Sequence, residues 1–189
     1  MEIAKDIVTI LGTVAAVVIG ILGLKTWRVQ LKTTSDNDLA RRILVSLYKV
    51  RSNIQFIRRP LREAILPEDK SQFDQNATTE AFAKQYETEW NKVREEMAEL
   101  EAASIEAQAT WDRDFPNHLI PLRTCIFELL DYIREHLRTQ AAGRGESYHK
   151  PEEIRKIIFG TGGSTDEFGQ KVEEAVKNVD DVVRPRFVK

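Results

Sequence analysis

Hydrophobic and polar positions divide the chain into two unequal parts. Ile7 to Leu24 (IVTILGTVAAVVIGILGL) are consecutive residues without a single charge. Eighteen residues at a rise of about 1.5 Å cover roughly 27 Å, close to the hydrocarbon thickness of a bilayer. The run predicts one membrane-spanning helix. Beyond it, apolar residues recur at helical spacing among polar ones. From Leu39 the seam runs through Ile43, Leu47, Val50, Ile54 and Ile57, as in a helix that packs against partner helices. Thr33-Thr34-Ser35-Asp36 either caps a new helix here or rides through as the wet face of one long helix. Pro60 and Pro67 end this segment, and residues 64–77 read as a loop.

The next helix is long, about Thr79 to Trp111. Its seam holds Tyr86, Trp90, Val93, Met97, Leu100, Ser104, Ala107 and Trp111, a sustained heptad that argues for near-antiparallel packing at a shallow angle. Pro116 and Pro121 bracket the approach to a third helix, striped by Leu122, Ile126, Leu129, Ile133 and Leu137 and ended by Gly143. Pro151 opens a short helix with Ile154, Ile157 and Ile158 on its apolar side. Ser164 and Glu167 form a capping-box pattern for a last helix, which buries Phe168, Val172, Ala175, Val179 and Val183 and stops at Pro185. No stretch alternates with period two for long enough to argue a sheet. The expected fold is all-α: an N-terminal transmembrane helix followed by a cytoplasmic four- or five-helix bundle. Residues 1–32 would form the anchor and its basic juxtamembrane segment, and 33–189 the bundle.

Charge sharpens this division. The chain carries 28 Lys+Arg and 30 Asp+Glu, but residues 25–62 hold ten basic side chains against two acidic ones. Lys25, Arg28 and Lys32 follow the apolar run at once, and positive flanks resist translocation. The N-terminus is therefore expected outside and the bundle in the cytoplasm, at the inner membrane. Trp27 sits where an indole settles at headgroup level. Lys25, Trp27, Arg28 and Lys32 form the expected membrane interface, with lipid as partner. The later cations, Lys49, Arg51, Arg58 and Arg59, are assigned to acidic partners within the bundle. A cleaved signal peptide fits the N-terminus poorly, because its first residues carry one Lys against two acids and no small-x-small site follows. A buried core helix fits poorly too, since the run leaves no polar face for solvent.

Within the span, Gly12, Ala16 and Gly20 recur every four residues. Small side chains let spanning helices approach closely, so this face predicts self-association into a homo-oligomer. The single cysteine, Cys125, excludes an internal disulfide and lies on an apolar stripe, as a buried small hydrophobe does.

Candidate chemistry is thin. Arg113-x4-His118 (RDFPNH) and Arg144-x4-His149 (RGESYH) match the loose Arg-x4–6-His spacing of HEPN-class ribonucleases. There a His moves the 2′-hydroxyl proton and an Arg steadies the phosphate across a helical dimer. One copy contains Pro116 and the other lies in a Gly-rich loop, so surface or capping roles are expected of these side chains. Gly160 to Thr165 precede a helix as a phosphate cradle would, but without the P-loop Lys or a preceding strand they read as an interhelical turn. The three histidines lack zinc spacing, and no cofactor or metal is expected. Tyr48 and Phe56 fall near the apolar seam of the basic stretch, so direct readout of nucleic acid is not expected.

Trp27-Arg28-Val29-Gln30-Leu31-Lys32, Leu39-Ala40-Arg41-Arg42-Ile43-Leu44 and Tyr48-Lys49-Val50-Arg51 resemble a family of uncharacterised small single-span bacterial membrane proteins. The likeness extends to Leu122-Arg123-x-Cys125 and Val183-Arg184-Pro185, and it brings no activity with it. The layout of one N-terminal span, a helical body and an Arg-x4-His pair is also similar to the membrane-anchored, HEPN-like accessory proteins of type VI-B CRISPR systems. That resemblance implies a ring with a membrane pore and an RNA-guided complex as partner. The leading expectation is an oligomeric inner-membrane protein acting as a pore-forming or membrane-perturbing effector or accessory protein of antiviral defence. The alternatives are a membrane-anchored scaffold that recruits a cytoplasmic protein and a membrane-tethered HEPN-type ribonuclease.

Overall fold

The computed structural model describes residues 2–58, 75–141, 149–160 and 166–187, with side chains in the first helix described from Ile19 onward apart from Val29. Over these residues the chain is helical throughout. Helix α1 spans Glu2–Ile57, α2 Gln75–Thr110, α3 Ile120–Ala141, α4 Pro151–Phe159 and α5 Glu167–Phe187, with a 3-10 turn at Phe115–Leu119 between α2 and α3.

Helix α1 does not break at Thr33–Asp36. The Thr34 hydroxyl donates back to the Gln30 carbonyl at 2.9 Å, and Asp36 accepts from Trp111 Nε1 at 2.9 Å. Asp36 is thus engaged across the bundle and caps nothing, so the helix continues. Only its second half enters the core. Leu39, Ala40, Ile43, Leu47, Val50, Ile54 and Ile57 are all buried, as the seam predicts.

The bundle closes as a ring in the order α1–α2–α3–α5, with α4 packed on α3. Neighbours of α1 run antiparallel to it. Arg42 meets Glu106 at 2.6 Å and Lys49 meets Glu96 at 2.9 Å on α2. On the other side Arg51 meets Glu173 at 2.7 Å, and Arg58 meets Asp166 at 2.7 Å on α5. Lys49, Arg51 and Arg58 are therefore paired within the bundle, as charge balance predicted. Most such pairs are exposed and contribute about 0–1 kcal/mol each. The core does the holding: Val93, Leu100 and Ala107 of α2, Leu122, Leu129 and Ile133 of α3, and Phe168, Val172, Val179 and Val183 of α5. A fully buried Leu or Val contributes about 1.5–3 kcal/mol relative to exposure.

Helix boundaries differ from the sequence reading in three places. Helix α2 begins at Gln75, four residues before the expected start, because helix-compatible Gln, Asn, Ala and Thr precede its first seam residue. Asp166 holds the first turn of α5: its Oδ1 accepts the Gly169 N–H at 3.0 Å. Ser164 lies outside the described residues, as do Arg59, Gly143 and Arg144. The helix also passes Pro185 and ends at Phe187, since a proline this near the C-terminus forfeits a single ladder bond. Among the described residues no helix is long and apolar enough to cross a membrane. Most of Ile7–Leu24 lies in the part of α1 whose side chains are not described.

One half-buried base gives the bundle a pH signature. His136 on α3 lies edge-on to Phe159 of α4, ring centroids 5.6 Å apart. Burial holds its pKa below the ordinary imidazole value. Folding favours the neutral ring, so stability is complete above about pH 6.5 and is lost as pH falls through that value toward the folded one. The melting temperature should drop between pH 7 and 5, and His136→Phe should flatten the profile. A variant that keeps the full acid slope would assign the loss to other groups.

Candidate functional site

Three places on this scaffold concentrate polar or reactive groups. The tightest lies where α1 ends. Arg58 is 7% exposed. Its Nη1 and Nη2 donate to Asp166 Oδ2 and Oδ1 at 2.8 and 2.7 Å, a bidentate fork. Its Nε donates to the Ile157 carbonyl at 2.7 Å, and the guanidinium lies over the Phe168 ring at 4.8 Å. Arg58 thus joins the end of α1, the last carbonyls of α4 and the first turn of α5. Its hydrogen bonds hold the Asp166 carboxyl below the ordinary carboxylate range against the opposing effect of burial. An open cleft of about 350 Å³ lies beside the pair, between Ile54 and Gln55 of α1 and Gly169 and Glu173 of α5. Both charges at its edge are already neutralised, which makes this a clamp between helices.

Further along the same seam, Arg184 Nε donates to Asp180 Oδ2 at 2.8 Å and Arg184 Nη2 to the Tyr48 hydroxyl at 2.7 Å, while Tyr48 donates to Asp180 Oδ1. The Arg184 hydrogen bond lowers the Asp180 pKa. This triad is interhelical too.

The histidines of the two Arg-x4-His spacings are placed apart, and Arg144 lies outside the described residues. Arg113 is exposed and its carbonyl accepts from Gln108 Nε2 at 3.1 Å. His118 sits in the 3-10 turn against Phe115, ring centroids 6.0 Å apart. His149 stacks on Tyr132 at 4.2 Å, with its Nε2 3.1 Å from Asp131 Oδ2. Since His118 adjoins the start of α3 and Asp131 lies in its second half, the two histidines are about 18 Å apart along that helix. Within one chain they are not brought together. Cys125 is 1% exposed, and burial pushes its thiol pKa up, away from nucleophile chemistry. No group of three or more metal-ligating side chains occurs among the described residues.

The third place is the arm of α1 that precedes Leu39. Ile19, Ile21, Leu22, Leu24, Trp27 and Leu31 are each 58–69% exposed, and they point to every side of the helix. Lys25, Arg28 and Lys32 are exposed and have no ion-pair partner among the described residues, unlike Arg42, Lys49, Arg51 and Arg58 further along α1. A Cβ added at Gly20 would meet nothing within 4 Å. Gly12 and Ala16 lie in the part of α1 without described side chains. Sequence reading located this arm and its cations. It did not find the Arg58–Asp166 clamp, whose partners are 108 residues apart, nor Asp166 as the cap.

No protein-family model, curated protein or solved structure matches the chain. Function is therefore read from the chain's own geometry.

Proposed function

We propose that this chain is a single-span inner-membrane protein that works as an oligomer at the membrane, as an effector or accessory protein, with its N-terminus outside and its bundle in the cytoplasm. The observation that carries this reading is the continuity of α1. One helix contains the apolar run Ile7–Leu24 and enters the bundle core at Leu39. Between them lies an exposed stretch of about 22 Å. An apolar helix exposed on all sides has no partner in water and is at home in lipid. With no break between run and core, a rearrangement of the bundle would reach the membrane through a rigid rod. The unpaired Lys25, Arg28 and Lys32 sit within about 12 Å of the end of the run, where anionic headgroups attract them by on the order of 1 kcal/mol each. The resemblance of this layout to the type VI-B accessory proteins, an analogy of architecture, favours a role in antiviral defence through perturbation of the membrane.

Fractionation tests this directly. The full-length protein should sediment with membranes and resist alkaline extraction. In mild detergent its mass should be a multiple of 21.7 kDa. Changing Gly12, Ala16 and Gly20 together to Leu should leave it membrane-bound and monomeric, and overexpression of the wild type alone should depolarise cells. Release by alkali would overturn the anchor, and a monomeric wild type the oligomer.

The anchored-scaffold reading has one observation in its favour. Ile105 of α2 and Ile120 and Phe127 of α3 are 66%, 51% and 68% exposed on outer faces joined by the Glu101–Arg123 pair. A recruited cytoplasmic protein would cover such a surface. This reading predicts unchanged membrane potential on overexpression.

A further inference from the structure

The unbroken phase of α1 has a consequence beyond attachment. At 100° per residue, Gly20, Leu24, Trp27, Leu31, Thr34, Asp38, Arg41 and Val45 share one face, spaced 4, 3, 4, 3, 4, 3, 4, and every one is exposed. The core-facing residues Leu39, Ile43, Leu47, Val50 and Ile54 lie about 140° away around the helix. Lys25 and Lys32 lie on the bundle side, within about 20° of that core direction, and Arg28 lies about 60° from it. The face is thus a heptad seam on the back of α1, turned away from the bundle and clear of the stalk's cations. A helix break at Thr33–Asp36 would have destroyed its register; the back-bonded Thr34 and the Trp111–Asp36 bond preserve it.

We propose that this seam is where a second copy of the chain docks, in parallel, so that α1 helices pack back to back with their bundles outward. The inference rests on the oligomeric reading above and names the surface that would carry it. Membrane attachment puts every copy in one orientation, which is what a parallel heptad seam requires. Leu24, Trp27, Leu31 and Val45 supply apolar layers, 63%, 63%, 58% and 45% exposed in the single chain. Thr34 brings no unsatisfied hydroxyl, since it bonds the Gln30 carbonyl. Asp38 and Arg41 occupy adjacent layers about 4.5 Å apart along the axis. Arg41 has no ion-pair partner among the described residues, and Asp38, which meets Arg42 of its own helix at 3.3 Å, keeps a side chain 66% exposed. Opposite charges one layer apart let Arg41 of one copy reach Asp38 of the next, and a polar layer within an apolar seam fixes register. The seam runs about 37 Å from Gly20 to Val45 and meets the expected Gly12–Ala16–Gly20 face at its lower end.

Cysteine cross-linking of the full-length protein in native membranes tests this. In a Cys125→Ala background, Leu24→Cys, Leu31→Cys and Thr34→Cys should form covalent dimers under mild oxidation, while Lys25→Cys and Lys32→Cys should not. Asp38→Arg and Arg41→Asp should each shift the detergent-solubilised protein toward monomer, and the double exchange should restore the assembly. The same samples are fractionated and their native mass measured. An oligomer of wild-type mass that cross-links equally on both faces, or only through Lys25→Cys and Lys32→Cys, or that ignores the charge exchanges, overturns the seam and leaves the oligomeric reading standing. A membrane-bound monomer overturns both.

Discussion

Replacing Arg58 with Ala should cost about 3–5 kcal/mol of folding stability, a large share of the 5–15 kcal/mol typical of a domain. The lost attraction is only part of the reason. Asp166, whose side chain is 16% exposed, would keep its charge without its counter-ion, and the Ile157 carbonyl would lose its donor. The clamp also has no room to readjust. A Cβ at Gly169 would lie 2.7 Å from Asp166 Cγ, so the glycine is what allows the carboxylate to rest on the first turn of α5. Gly160, at φ +49°, likewise leaves the Arg58 guanidinium its path past the end of α4. Arg58→Lys should recover little, since an ammonium presents no planar fork. The effect has a pH window. Asp166 has a lowered pKa in the folded protein, so the clamp's contribution is present above the ordinary carboxylate value near 3.9 and is lost as pH falls through the folded value. Wild type and Arg58→Ala should therefore differ by roughly 10 °C in melting temperature at pH 7 and converge in strong acid. A difference below about 1 kcal/mol at pH 7 would reduce the clamp to an ordinary surface pair.

Phe115→Ala should be comparably damaging, at about 3–5 kcal/mol by denaturant unfolding. Phe115 is 1% exposed and among the largest fully buried side chains. It stands edge-on to Trp111 at 5.7 Å and also contacts His118, so it seats the turn that carries α2 into α3. The turn cannot collapse around the cavity, because Trp111 is held to Asp36 of α1 and lies under the Arg186 guanidinium. Arg113, exposed two residues earlier, should tolerate Ala within about 0.5 kcal/mol. The contrast bears on the Arg113-x4-His118 stretch. A large loss at Phe115 with none at Arg113 marks it as a packing turn, whereas a Phe115→Ala loss below about 1 kcal/mol would mean that the turn does not tie α2 to α3.

Much of the fold was legible in the sequence, for one physical reason. A helix that buries one face must repeat its apolar residues every three or four positions. Ile43 to Ile57, Tyr86 to Ala107, Leu122 to Ile133 and Phe168 to Val183 therefore announced both their helices and their buried faces. The charge excess of residues 25–62 likewise foretold that Lys49, Arg51 and Arg58 would meet acids in the bundle. Which acid each would meet was illegible, because Glu96, Glu173 and Asp166 are brought there by antiparallel packing across gaps of 47 to 122 residues. The ends of helices were equally hidden. The cap of α5 was hidden because Asp166 is set on that turn by its pairing with Arg58. Both Arg-x4-His spacings looked alike in one dimension, yet the structure seats one histidine on Phe115 and the other on Tyr132.

By itself the sequence determined the all-α class, the core seams, the apolar N-terminal run and its basic flank, since these follow from periodicity and charge counted along one chain. Only the tertiary structure decided that Thr33–Asp36 stays helical, that Arg58 joins three helices, and that a heptad seam faces away from the bundle. Each of these depends on where a residue far away in sequence lands, and on the helical phase that an unbroken backbone carries from one end of α1 to the other.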